Sequence, residues 1–263
     1  MLHADQTINI TINQSTNQSI KVRNSAMKTL HVPVLYGSQT GNSQGAAENL
    51  AASLPKELST SSLTVTSTVM ELDDFLENSR AAWTPLCVIV CSSYGVGQAP
   101  MGAWKFRELC DLILEKDDFV NQLKGIQYAM LGLGDSKYTT FFLNPTSIDS
   151  AMAKAGAERV GSLGKADASG KGDKVQLKVI EDWSQNIVAD LKRAVKDLDG
   201  LDDTKWQEKE DQVSIARYNT GDLCREIYED WDKKAKDDAT KNMGMMMLPL
   251  ITAIVVGLYL KSS

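Results

Sequence analysis

The chain has 263 residues, 43% of them hydrophobic and 24% charged, which leaves room for one packed domain of about 100 to 200 residues plus additional segments. A net charge of −6 argues against a nucleic-acid binder, which needs a basic face to displace phosphate counterions. The cysteines are Cys87, Cys91, Cys110 and Cys224, with no C-x-x-C pair and only His3 and His31 to assist. Neither a structural zinc site nor a disulfide framework is expected, and a reducing compartment is.

In chain order, residues 1–27 are rich in Asn, Gln, Ser and Thr and lack the apolar core of a signal peptide, so they are expected to form a disordered extension. Met27, just before the first strand, is a candidate translation start. From 28 to 197 short apolar runs alternate with helical stretches, the pattern of a parallel sheet covered on both faces. Five strands are expected, near His31–Tyr36, Leu63–Met70, Leu86–Cys91, Ile126–Gly132 and Arg159–Ser162. Helical stripes run through Ser43–Leu54 (Ala46, Ala47, Leu50, Ala51, Leu54) and through 173–196 (Val175, Val179, Trp183, Ile187, Leu191). In the run L-C-V-I-V-C, Cys87 and Cys91 share one strand face as small buried side chains.

Residues 198–242 hold 13 Asp and Glu against 8 Lys and Arg, a net of −5, and are expected to be a solvated linker. One amphipathic helix is expected inside it from Asp222 onward, with Leu223, Ile227 and Trp231 at helical spacing. Met243–Leu260 is an uncharged run of 18 residues, about 27 Å as a helix, enough to cross a bilayer. The expectation is a transmembrane tail anchor. The lysines before it, Lys233, Lys234, Lys236 and Lys241, keep the folded domain cytosolic by the positive-inside bias, at the endoplasmic reticulum or the mitochondrial outer membrane.

Three loops carry the chemistry. Tyr36–Gly45 (Y-G-S-Q-T-G-N-S-Q-G) joins the first strand to a helix, and its Ser38, Thr40 and Ser43 hydroxyls, flexible Gly41 and free helix-start N–H groups can wrap a phosphate. It contains no lysine, so it is not a nucleotide P-loop. The third strand ends in S-S-Y-G-V-G-Q-A-P (Ser92–Pro100) and the fourth in G-L-G-D-S-K-Y-T-T-F-F (Gly132–Phe142). In a doubly wound sheet all three open at the carboxyl edge, where ligands bind, and Tyr94 and Tyr138 can sandwich a flat ring.

On these motifs the chain resembles the flavodoxin-like FMN domain of the diflavin reductases. S-Q-T-G-N-S matches that family's phosphate loop, S-S-Y-G its first stacking loop and L-G-D-S-K-Y its second; Y-T-T-F-F-L-N-P-T-S-I-D, A-G-A-E-R-V and K-A-D are most similar to the methionine synthase reductase branch. NADPH–cytochrome reductases share the pattern. The resemblance covers about residues 30–195 and implies a doubly wound, five-stranded parallel sheet of order 2-1-3-4-5. It implies FMN held at its phosphate by Ser38, Gln39, Thr40, Gly41, Asn42 and Ser43. Around the ring it implies Ser92, Ser93, Tyr94 and Gly95, then Leu133, Gly134, Asp135, Ser136, Lys137, Tyr138, Thr139, Thr140, Phe141 and Phe142, with Asp167 nearby. No catalytic acid, base, nucleophile or metal ligand is implied.

Two departures stand out. Where the family commonly carries G-E-G-D-P, this chain has G-V-G-Q-A-P, with neutral Val96 and Gln98 replacing two carboxylates. Phe141 and Phe142 replace the usual F-N. With no FAD or NADPH segment in the sequence, the expected function is a membrane-tethered FMN electron carrier. It would be fed by a separate FAD-containing NAD(P)H reductase and oxidised by a haem or iron–sulfur protein. The alternatives are a flavin-dependent NAD(P)H:quinone-type reductase and a flavin-free membrane-anchored interaction module.

Overall fold

The computed structural model describes residues 28–79 and 81–221, and beyond them 223–225, 229 and 233. The extension expected at 1–27, the anchor expected at 243–260 and most of the helix expected from Asp222 lie outside the described residues. Within them, no helix is long and apolar enough to cross a membrane.

The strands are β1 (Lys28–Gly37), β2 (Leu63–Glu71), β3 (Leu86–Ser92), β4 (Gln127–Gly134), β5 (Glu158–Arg159) and β6 (Gly164–Asp167). All pair in parallel, in the order β2-β1-β3-β4-β5, with β6 also on β4. The centre of the sheet is legible in its side chains. In β3 every residue but Ser92 is buried, as a strand covered on both faces requires, whereas β2 at the edge leaves Thr66 and Thr68 exposed.

The strand expected at Arg159–Ser162 is in fact broken. β5 pairs with Gln127 and Tyr128, and β6 rejoins the same edge of β4 from Leu131 to Gly134. The break falls at Gly161, whose φ is +70°, a conformation that interrupts a strand and suits glycine.

Helices α1 (Asn42–Leu58) and α5 (Gln176–Asp199) cover one face, closing a core around Leu30, Val32, Val34, Val88, Val90 and Leu131. Helices α2 (Leu72–Glu77), α3 (Trp104–Glu115) and α4 (Leu143–Lys154) cover the other, over Leu35, Ile89, Tyr128 and Met130. Cys87 and Cys91 lie together in this second core, and burial pushes both thiols up to about 12. They are packing residues, inert as nucleophiles.

Within the segment expected to be a solvated linker, residues 203–221 are helical and packed. A helix α6 runs over 203–221, with Val213, Ala216 and Thr220 buried, followed by buried Leu223 and Cys224. It closes the amino edge of the sheet. Trp83 Nε1 donates to Thr220 Oγ1 at 3.0 Å, Arg217 Nε donates to Trp83 O at 2.6 Å, and Asn219 bonds Gln122. At its start Lys28 Nζ donates to Leu201 O at 2.7 Å and sits 5.0 Å from the centroid of Trp206. Asp202, Asp203, Glu208 and Asp211 are exposed, while the narrow stripe Val213, Ala216 and Thr220 meets the core.

Candidate functional site

At the carboxyl edge the sequence builds a cradle in three pieces. β1 ends on Gly37, where a Cβ would fall 2.5 Å from Ala103 Cβ and 2.9 Å from Cys91 Sγ, so only glycine lets the chain turn there. The next residues are pinned from both sides. Ser38 N donates to Met101 O at 3.1 Å, Met101 N to Gln39 Oε1 at 3.3 Å, and Gly41 N to Ser38 Oγ at 3.0 Å. Gly41, with φ +91°, then opens α1, a helix that has no side-chain cap and no acid in its first turn. Its leading N–H groups are therefore left for an anion. The Ser43 hydroxyl beside them is buried and has no hydrogen-bond partner, a cost a native fold rarely bears without a ligand to relieve it.

The second piece follows β3. Asn144, buried at the start of α4, ties it down: its Nδ2 donates to Ser92 O at 2.9 Å and Cys91 Sγ at 3.3 Å, and its N to Ser93 Oγ at 2.9 Å. Tyr94 and Gln98 exchange backbone bonds of 2.9 and 2.8 Å across Gly95 and Gly97, both at positive φ. The Ser92 hydroxyl is likewise buried without a partner.

The third piece follows β4. Tyr138 N donates to Asp135 O at 3.1 Å and Phe141 N to Tyr138 O at 3.0 Å. Two carboxylates hold this loop. Asp167 Oδ1 accepts from Ser136 N and Ser169 N, each at 2.9 Å, and Asp135 Oδ1 accepts from Ser169 Oγ at 2.5 Å and Lys137 N at 3.0 Å. Burial works against ionising Asp167, but the bonds from Ser136 and Ser169 outweigh it, and its carboxyl sits below the ordinary range. The Ser169 hydroxyl, then the Lys137 amide, hold Asp135 low as well.

The three pieces enclose a cavity of about 360 Å³, within the size of small-molecule sites. Fourteen expected residues line it: Gln39, Thr40, Asn42, Ser43, Ser92, Ser93, Tyr94, Gly95, Leu133, Gly134, Asp135, Tyr138, Thr140 and Phe141. Tyr94 and Tyr138 both keep about half of their surface exposed, 49% and 57%, so two aromatic faces are available to a ring. Seven expected residues stand outside the lining. Ser38 and Gly41 shape the phosphate loop, Asp167 braces the third loop, and Ser136, Lys137 and Thr139 lie along that loop. Phe142 is a correction: it is buried at φ +67°, beneath Gly132, where a Cβ would fall 2.2 Å from its ring. It supports β4 from below and leaves the ring contact to Phe141.

Two lining residues were not foreseen, Ala168 and Gln176. Gln176 Oε1 accepts from Asn42 Nδ2 at 2.8 Å, and its Nε2 donates to Ala166 O at 3.2 Å and Gly134 O at 3.4 Å. One side chain thus joins the phosphate loop, β4 and β6. A larger, more open groove of about 740 Å³ runs between α1 and α5 and also touches Asn42, but no unpaired buried polar group points into it. Among the described residues no group of His, Cys, Asp and Glu could hold a metal.

The sequence matches the flavodoxin family over residues 34–183, more than half of the chain, and the chain belongs to that family. It is 36% identical over 142 residues to NADPH-dependent diflavin oxidoreductase 1 of Schizosaccharomyces pombe (54% of this chain, 22% of that protein). It is 37% identical over 182 residues to the bifunctional cytochrome P450/NADPH–P450 reductase of Bacillus cereus (69% and 15%). To the methionine synthase reductase of Caenorhabditis elegans it is 33% identical over 160 residues (60% and 21%). The chain therefore spans about a fifth of the length of these relatives. A flavodoxin from Pseudomonas aeruginosa superposes with a TM-score of 0.46 at 20% identity, covering 62% of this chain and 99% of that one. FMN is the cofactor of this fold. The site fits it: uncapped N–H groups and an orphaned Ser43 hydroxyl at the phosphate end, and two half-exposed tyrosines with an orphaned Ser92 hydroxyl at the ring end.

Proposed function

We propose that this chain is a membrane-tethered electron carrier, receiving electrons from a separate FAD-containing NAD(P)H reductase and passing them to a haem or iron–sulfur protein at the same membrane. The observation that carries the electron-carrier reading is the pair of unpartnered hydroxyls, Ser43 and Ser92, inside a cavity flanked by exposed Tyr94 and Tyr138. Bound FMN supplies the redox chemistry. The protein binds it, orients it and leaves the ring edge within reach of a partner.

Electrostatics supports a donor role. Asp135 is the one charged side chain among the residues lining the cavity, and no lysine or arginine is among them. Added electron density on the flavin is opposed by the Asp135 carboxylate, with no cation in the lining to offset it, which keeps the potential low. The tether reading is supported by the uncharged run Met243–Leu260 preceded by four lysines; an endoplasmic reticulum or mitochondrial outer membrane site is consistent with its length.

The test is the visible spectrum of the purified full chain in detergent, then a reductive titration. A two-band flavin spectrum with one FMN per chain, and no NAD(P)H oxidation until a separate reductase is added, is the expected result. A colourless protein that ignores added FMN, or one that oxidises NAD(P)H alone, overturns the carrier reading. Fluorescent fusions of the full chain and of a chain lacking 243–263 test the anchor: loss of membrane localisation is expected on truncation, and unchanged localisation refutes it.

A further inference from the structure

Gln176 opens α5 and stands half-buried in the cavity wall. Its side chain reaches three elements that are distant in the chain. Oε1 accepts from Asn42 Nδ2 at 2.8 Å, while Nε2 donates to Ala166 O at 3.2 Å and to Gly134 O at 3.4 Å. Asn42 is the first residue of α1, and Gly134 and Ala166 lie where β6 pairs with the end of β4.

The orientation of both amides follows from their partners. Main-chain carbonyls only accept, so Gln176 must turn its NH2 group toward Ala166 and Gly134, and its oxygen is left for Asn42. Asn42 is then obliged to present its own NH2 group. An amide nitrogen carries two hydrogens, so Asn42 can give one to Gln176 and keep one for a phosphate oxygen. Without Gln176 the Asn42 amide is free to flip and offer its oxygen, whose negative end an anion repels.

The distances rank these roles. At 2.8 Å the bond to Asn42 is the short one, whereas the 3.4 Å bond to Gly134 O lies beyond the usual N–H···O range. Gly134 O in any case accepts from Ala168 N at 2.8 Å. Bracing the strands is therefore the lesser part of what Gln176 does, and holding Asn42 the greater. On its other side the same loop is tied by Ser38, Gln39 and Met101, so Gln176 completes a clamp around the start of α1. The cavity lining holds no lysine or arginine. With no cation to gather a phosphate, affinity depends on how well the neutral donors are preset.

We infer that Gln176 is a positioning residue for the cofactor phosphate: acting through Asn42, it presets the donors of the 38–43 loop and so sets the preference of this site for FMN over riboflavin, the same flavin without its phosphate. This role rests on FMN as the cofactor and is independent of the tether and of the electron-transfer partners.

The test uses the full chain in detergent, stripped of flavin, as wild type, Gln176→Met, Asn42→Ala and the double variant. Methionine keeps the length and volume of the side chain without the amide, and Asn42→Ala removes the same bond from the opposite side at an exposed position. FMN and riboflavin affinities are read by fluorescence titration, and stability by the urea midpoint without flavin. Each single variant is expected to bind FMN about three- to tenfold more weakly, as the loss of one hydrogen bond allows, with riboflavin affinity and the urea midpoint nearly unchanged. The double variant should be no more than about twofold worse than the weaker single, because both substitutions break one interaction. Where riboflavin binds too weakly to titrate, that non-additivity decides. FMN and riboflavin affinities that fall together with the urea midpoint in Gln176→Met, or losses that multiply in the double variant, overturn the positioning role and leave Gln176 as a strand brace. FMN binding untouched by either single overturns it too, while a wild-type chain that binds no FMN overturns the cofactor assignment with it.

Discussion

The two edges of the sheet are built to opposite rules. At the amino edge α6 closes the structure, and its polar groups find partners: Trp83 meets Thr220, Arg217 meets the Trp83 carbonyl, and Asn219 meets Gln122. At the carboxyl edge the chain turns on glycines at positive φ, leaves α1 uncapped and strands the Ser43 and Ser92 hydroxyls in a cavity. One edge is complete within the chain. The other keeps the Ser43 and Ser92 hydroxyls and the first amides of α1 without partners from the chain, and function lies where the hydrogen bonding is left open.

Substitutions can break this contrast. The largest effect is expected from ending the chain at residue 202. Removing Val213, Ala216 and Leu223 and uncovering Trp83 should lower stability by about 5 kcal/mol at roughly 25 cal/mol per Å² of apolar surface, read as a shift of the urea midpoint. A linker reading of 198–242 predicts no change. Next, Thr220→Val leaves the buried Trp83 N–H without an acceptor and should cost about 1 to 3 kcal/mol, with FMN affinity untouched.

Ser43→Ala reverses the pattern. Without FMN it should leave stability within about 0.5 kcal/mol of wild type or raise it, since a buried hydroxyl with no partner is removed. With FMN it should weaken binding about tenfold or more, the worth of a hydrogen bond to a charged group, measured by fluorescence titration. If both edges responded alike, the division between a structural and a functional edge would fail.

Most of the fold and the cradle were legible because each rests on a strong local signal. β1, β3 and β4 are dense apolar runs, and the three loops announce themselves as Ser, Thr, Gly and Tyr clusters directly after them. What escaped was carried by weak or distant signals. β6 buries only Gly164 and Ala166 in a run that reads G-K-A-D. α6 meets the core through a stripe as sparse as Val213, Ala216 and Thr220 within an acidic segment, and its partner Trp83 lies more than a hundred residues earlier. Gln176 looks like any helix-start glutamine until the fold brings Asn42 and Gly134 to it. For Phe142 the family resemblance implies a ring contact, but its φ of +67° turns it under Gly132 instead.

The smallest expected effect concerns acid, and it divides the carboxyl edge itself. Asp135 and Asp167 are depressed below their ordinary value of about 3.9 by bonds to the ionised form. Their contribution is therefore complete above about pH 4 and is lost as pH falls through the lower folded values. Glu71, raised by burial and then by Asp74 and Asp73, and Asp73, raised by burial against bonds from the Phe106 and Trp104 amides, act with the opposite sign. Protonating them relieves a cost, so they favour the folded form as pH drops toward their raised values. Flavin release on acidification should consequently begin only below about pH 4, when the 135–140 loop loses its anchor. In Asp167→Asn the amide oxygen still accepts from Ser136 and Ser169 but carries no charge. That variant should bind FMN a few-fold more weakly near neutral pH and show a shallower acid release. Glu71→Gln should leave the release curve in place. A release curve unmoved by Asp167→Asn but shifted by Glu71→Gln would assign the acid sensitivity to the α2 side of the edge instead of the third loop.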